Sequence, residues 1–286
     1  MASTNNATPV KAGGIASQEY FTWLAANHAK LTGNSTRDLF AASLEDITAL
    51  LPITPGSRVH DNAAGPGTAA SVLVEKLPAG ALPTVEILIT DNVPAMLTAA
   101  REHLSSLIPS TITVQEMDSL KLEVPDSHLS HSILNFSIFN MADPLRCLQE
   151  SHRTLKEGGV AALLTWRRFG ASEVIRTAQK MVRPDLPPIF IPREEFMREG
   201  VLADLAVDAG FGKEKMTILS KALVVSGDDL ENLREFFPGL ISEPARKGWT
   251  EEEKARWPEV IEKAIQGEIE EHGGVLFEAW VVLARK

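Results

Sequence analysis

Three aspartates, each closing a strand-like run, carry the chemistry that can be read in this sequence. The stretch Arg58-Val59-His60-Asp61-Asn62-Ala63-Ala64-Gly65-Pro66-Gly67-Thr68 leads a short strand into a carboxylate, a glycine-bearing turn and a helix start. Glycine suits such a turn because the bend is tight and a ligand must come within contact distance of the backbone. Asp61, at the strand end, can reach a ligand amine or hydroxyl. A second run, Val85-Glu86-Ile87-Leu88-Ile89-Thr90, ends at Asp91 and is followed by Asn92-Val93-Pro94-Ala95-Met96-Leu97. An acid there, opposite a glycine turn, is placed to hydrogen-bond a ribose diol. A third run, from Ile112 to Met117, ends at Asp118-Ser119. Asp118 can accept from an exocyclic adenine amine, or the pair can simply cap the next turn. The first loop has no lysine of the G-K-[ST] kind, and Asp61 would repel a pyrophosphate lying on the following helix N-terminus. The preferred ligand should therefore carry positive charge.

The elements that must position these acids alternate along the chain. Two helices, 19–29 and 36–50, are separated by Gly33-Asn34, with Ser35 or Thr36 as a cap. Strands are then expected at 58–61, 85–90, 112–117, 129–136 and 159–166, with helices at 68–77, 94–107 and 144–155 between them. Such alternation builds a mostly parallel, doubly wound α/β sheet with helices on both faces. Two excursions exceed what the sheet needs. Residues 171–200 are too rich in proline for one helix. Residues 226–274, between strands at 216–225 and 275–284, hold a charged helix over 250–272. Ligands of such sheets bind at the carboxyl ends of the strands, so both excursions and the N-terminal helices are expected to roof a pocket.

The ensemble resembles the class I, Rossmann-like S-adenosylmethionine-dependent methyltransferases, of the small-molecule type. The resemblance rests on Asp61 to Gly67, on Asp91 to Leu97 and on Met117-Asp118. It extends to Asn135-Phe136-Ser137-Ile138-Phe139-Asn140 with Asp143-Pro144, then to Leu155-Lys156-Glu157-Gly158-Gly159 and Ala209-Gly210-Phe211. It covers roughly 59–223 and the closing strand, and Ala63 departs from it where the family has its first loop glycine. It implies a seven-stranded sheet and S-adenosylmethionine as cofactor, held by Asp61, Ala63, Gly65, Gly67, Asp91, Asn92, Met96, Asp118 and Ser119. Asn135 and Ser137 would lie near its methionine part. Tyr20, Trp23, Phe136, Asn140 and Trp166 are the substrate-pocket candidates. Tyr20 and Trp23 are one helical turn apart and could offer π faces to a sulfonium or pack their helix on the core, and Phe136 and Trp166 could equally be core.

Composition narrows the class. With 286 residues and 44% hydrophobic content the chain can bury a full core. A net charge of −10 disfavours nucleic acid and anionic membrane surfaces as partners. The single cysteine, Cys147, permits no internal disulfide and no thiolate metal cluster. The opening residues lack the pattern of a signal peptide, and no apolar run is long enough to span a bilayer. The expectation is a cytoplasmic monomer or homodimer, with 1–14 disordered and 15–286 one domain. Within it, 15–51 form an N-terminal cover, 52–170 the cofactor-binding core, and 171–200 and 226–274 the substrate cover.

No general base stands out. His131 and His152 read as structural, and His28 as a solvated helix position. The absence of His-x-His, Asp-x-Asp and Glu-x-x-His patterns predicts no metal. The expected reaction is methyl transfer to a small, fairly hydrophobic molecule, of the secondary-metabolite kind, at oxygen, nitrogen or activated carbon. Two other uses of the fold stay open: a rearrangement or cyclisation organised by the cofactor's charge, and a regulatory subunit that binds protein partners.

Overall fold

The computed structural model describes residues 18–78, 80, 82–105 and 111–286. The N-terminal segment expected to be disordered lies outside the described residues. The chain opens with α1 (Gln18–Thr32) and α2 (Ser35–Leu50), joined where Gly33 and Asn34 adopt positive φ. Then β1 (Arg58–Asn62), α3 (Thr68–Lys76), β2 (Glu86–Asp91), α4 (Pro94–Leu104), β3 (Ile112–Glu116), β4 (Leu129–Asn135), α5 (Pro144–Thr154) and β5 (Leu155–Arg168) alternate as expected. They are followed by α6 (Gly170–Val182), α7 (Val201–Asp208), β6 (Met216–Val225), α8 (Gly227–Phe236), α9 (Glu251–Ala255), α10 (Trp257–His272) and β7 (Val275–Arg285).

The seven strands lie in the order β3-β2-β1-β4-β5-β7-β6. The first five are parallel, and β7 runs antiparallel to both β5 and β6. One apolar layer, with α2, α3, α6 and α10, includes Leu39, Phe40, Val59, Leu73 and Trp257; the other, with α5 and α7, includes Leu134, Leu148 and Leu202. Strand order reverses between β1 and β4. That crevice, outside the carboxyl ends of the strands, is where a doubly wound sheet takes its ligand.

Two elements differ most from expectation. The charged helix over 250–272 is broken at Arg256, because Pro258 has no N–H to donate back and instead sits in the first turn of α10. Thr250 starts α9 with a capping box shared with Glu253. β5 runs beyond 159–166 at both ends, since antiparallel pairing with β7 reaches Arg168 and the Lys286 backbone bonds to Gly158 and Gly159. β4 buries three polar residues, Ser130, His131 and Ser132. The Ser130 hydroxyl lies within bonding distance of both backbone groups of Arg58 and of His131 Nδ1. Because a carbonyl only accepts, His131 Nε2 donates to Leu51 O at 2.9 Å. Burial holds its pKa below the usual histidine range, so this ring is a neutral structural strut.

Candidate active site

The glycine loop is stitched to the sheet by two carboxylates. Asp91, ending β2, accepts from Gly65 N through Oδ2 and from Val93 N through Oδ1, each at 2.9 Å. Beside it, Ala64 N donates to Thr90 O, and the loop folds down onto β2. Asp61 is fully buried in β1, and its Oδ2 accepts from Ala70 N in the first turn of α3 at 2.9 Å. Desolvation raises the Asp61 pKa to about 7; the Ala70 hydrogen bond opposes the rise and nearby Asp91 adds to it. Asp91 is also raised, by burial, against the pull of its backbone donors.

Gly65 and Gly67 have φ of +56° and +78°, and a Cβ on Gly67 would come within 3.2 Å of Ala100 Cβ on α4. Glycine is thus required at Gly67 both for backbone and for helix packing. Ala63 holds φ +50° without being glycine, a conformation that costs an L-residue about 1 kcal/mol or more. Ala63→Gly should relieve it. The gain expected is about 0.5 kcal/mol after the added unfolded-chain entropy of glycine, read as a small rise in Tm.

A cavity of about 870 Å³ opens above the strand ends. Ala63, Gly65, Asp91, Asn92, Met96, Asp118 and Ser119 line one side, and Asn135, Phe136, Ser137, Asn140 and Trp166 another. Trp23 also lines it, stacked on Phe236 of α8 with ring centroids 5.7 Å apart. The Tyr20 side chain lies outside the described residues. Asp61 and Gly67 stand behind the wall rather than on it, supporting α3. Asp118 caps the following turn, its Oδ1 accepting from Leu120 N at 2.9 Å, and also faces the cavity. The Ser119 hydroxyl is committed to Asn62 Oδ1 at 2.8 Å. Phe136 has φ +53° and packs on Trp166 at 4.0 Å between centroids, with Phe169 on the far side of Trp166 at 4.9 Å. For a bulky side chain that backbone is strained, as residues at functional sites often are.

Among the described residues, Asn135 Oδ1, Ser137 Oγ and Thr165 Oγ1 are buried, line the cavity and have no hydrogen-bond partner. Buried polar atoms are normally satisfied, so these three are the wall's available ligand contacts. Thr165 was not foreseen; only its place beside Trp166 could have marked it.

Segment 189–197 closes the cavity from α6. Side chains of α6 hold the start of the segment and the prolines before it: Gln179 Nε2 donates to Pro187 O, Gln179 Oε1 accepts from Ile189 N, and Arg176 bonds Ile189 O and Glu194. Trp280 Nε1 of β7 donates to Met197 O at 2.9 Å. Ile241 and Pro244 reach the wall from the second excursion.

His28 corrects the sequence reading. It lines the cavity instead of lying on a solvated helix face, because α1 packs across α4 and α8. His152 packs edge-on against Phe211, away from the cavity. Cys147 is buried, its thiol pushed up to about 12 by desolvation. No group of three His, Cys, Asp or Glu among the described residues is placed to hold a metal ion. None of the described helices is long and apolar enough to cross a membrane.

Known proteins share this sequence pattern and this fold. Residues 59–159 match the methyltransferase domain family. Methyltransferase ucsB of Acremonium sp is 27% identical over 228 residues, covering 74% of this chain and 76% of that protein. Methyltransferase ktnA of Aspergillus niger is 23% identical over 285 residues, covering 89% and 93%. The ubiquinone/menaquinone biosynthesis C-methyltransferase UbiE of Laribacter hongkongensis is 27% identical over 188 residues, covering 60% and 74%. Of solved structures, the [4+2]-cyclase SpnF superposes with a TM-score of 0.52 at 15% identity, covering 97% of this chain and 98% of its own. At that identity the likeness concerns the fold alone. Residues 59–159 thus carry a methyltransferase domain, on a class I, Rossmann-like sheet.

Proposed function

We propose that this protein transfers the methyl group of S-adenosylmethionine to a small, fairly hydrophobic molecule of the secondary-metabolite kind, at oxygen, nitrogen or an activated carbon. The observation that carries this reading is one cavity with two kinds of wall. Its β1–β3 side is acidic and suits a cationic nucleoside, while its β4–β5 side and covers are mostly aromatic and aliphatic, with Asn135, Ser137 and Thr165 as polar points on the β4–β5 wall.

The residues present fit the cofactor. Asp91 has lone pairs left for a ribose diol, Asp118 for an adenine amine, and Met96 and Asn92 border the space between them. Gly65 keeps the loop open, and the unpartnered Asn135 Oδ1 and Ser137 Oγ suit the polar methionine end. Asp61 and Gly67 support the loop from behind. When bound, S-adenosylmethionine supplies a methyl group activated by its sulfonium, so the protein need only align the acceptor, exclude water and, for a protic acceptor, take a proton. Phe136, Trp166 and Phe169 give a flat acceptor faces to stack on. Segment 189–197 covers the cavity and would keep water from the reacting methyl group, and ucsB and ktnA, to which the chain is similar, are both named as methyltransferases.

The test is incubation of the full chain with S-adenosylmethionine and a panel of apolar hydroxyl-, amine- and enol-bearing molecules, followed by mass spectrometry. A product heavier by one CH2, with stoichiometric S-adenosylhomocysteine, is expected. A product of unchanged mass would replace this reading with a rearrangement, and no binding of either cofactor form would end it.

A further inference from the structure

The cofactor's methionine end carries an ammonium and a carboxylate; the unpartnered Asn135 Oδ1 and Ser137 Oγ suit the ammonium, and beside the glycine loop the wall offers the carboxylate no basic side chain but His28. If Asp118 takes the adenine at β3 and Asp91 the ribose at β2, the sheet order carries the methionine end across β1 toward β4. Three of the loop's own N–H groups there are already spent. Ala64 N donates to Thr90 O, Gly65 N to Asp91 and Gly67 N to Ala64 O, while Pro66 has none. The nearby carboxylates, Asp61, Asp91 and Asp118, would repel an anion.

Only two side chains in the described cavity wall can carry positive charge, His28 and Arg193. Arg193 belongs to the cover segment and bonds Ala142 O, beyond the end of β4. His28 is on the loop side. It is close enough to His103 for the two rings to interact electrostatically, and His103 Nδ1 donates to Pro66 O at 3.2 Å. Among the described residues the His28 ring has no hydrogen-bond partner. Burial, with His103 adding to it, holds its pKa down to about 4, so the ring waits neutral with one N–H to give.

We propose that His28 receives the carboxylate of the cofactor's methionine end, donating a ring N–H to it. The inference rests on the cofactor reading above. It makes α1 part of the cofactor site and gives the N-terminal cover a reason to close once the ligand is in place.

The test is calorimetric titration of the full chain, wild type and variants, with S-adenosylmethionine and with decarboxylated S-adenosylmethionine, which differs only in lacking the carboxylate. His28→Ala is expected to weaken S-adenosylmethionine about 10- to 100-fold, the worth of one hydrogen bond to a charged group. The decarboxylated ligand should change by less than about threefold, within the error of additivity for an uninvolved site. His28→Gln, which keeps a side-chain N–H, should recover part of the loss, and it carries the comparison if the alanine variant fails a thermal-melt check of folding. Equal losses for both ligands, or none, would overturn the proposal. Failure of wild type to bind either ligand would be a different result, removing the cofactor reading and this proposal with it.

Discussion

Asp91→Ala is expected to weaken S-adenosylhomocysteine binding by at least about 100-fold, measured by calorimetry. The carboxylate is asked to accept from a ribose diol, and hydrogen bonds to a charged group contribute about 1.5–3 kcal/mol each. Two of them correspond to roughly two to four powers of ten in Kd. The same oxygens anchor Gly65 N and Val93 N, so alanine also frees the loop that forms the wall. Asp91→Asn is the milder change. It keeps one carbonyl oxygen for Gly65 N or Val93 N but turns the other acceptor into a donor facing a backbone N–H, so one loop anchor goes with one ligand acceptor, and a loss nearer tenfold is expected, about that of one hydrogen bond. Unchanged affinity in the alanine variant would show that the ribose is not held at β2.

The second large effect concerns Asp61 and stability. Its carboxyl rises from 3.8 to about 7 on folding, chiefly through desolvation. A raised carboxylate binds more protons folded than unfolded, so its contribution is fully present below pH 3.8 and is lost as pH rises through about 7. That rise corresponds to on the order of 4 kcal/mol. Two desolvated histidines act oppositely. His28 and His60 fall to about 4 and about 3, so their contribution is present above pH 6.5 and is lost as pH falls through those values. Wild-type stability alone therefore mixes the two, and comparison with Asp61→Asn isolates the carboxyl. Asparagine keeps an oxygen for Ala70 N and never ionises. Urea unfolding should show the variant gaining on wild type between pH 4 and pH 8, by up to about 4 kcal/mol. A constant difference across that range would mean Asp61 is not desolvated as its place behind the loop implies.

Where local chemistry decides, the sequence was legible. Short runs between turn residues can be little other than strands in an alternating pattern, and β1 to β4 and β6 lie within a residue or two of their expected spans. Gly33-Asn34 marked a turn because both can take positive φ. Asp61, Asp91 and Asp118 fall at the three strand ends because an acid there serves helix, turn and ligand alike. The helix over 250–272 was misread because its pattern of charge outweighed one proline.

What the sequence determined by itself was the alternation of elements, the glycine loop and the acids that follow each strand, since all are set by neighbours within a few residues. Tertiary structure decided the rest. Only packing places β7 antiparallel between β5 and β6, buries Asp61 deeply enough to move its pKa, and forces Phe136 into a left-handed backbone against Trp166. It also turns His28 inward, because the face a helix presents depends on what lies beside it, here α4 and α8. Desolvation and cavity shape are sums over residues distant in the chain, and no local pattern contains them.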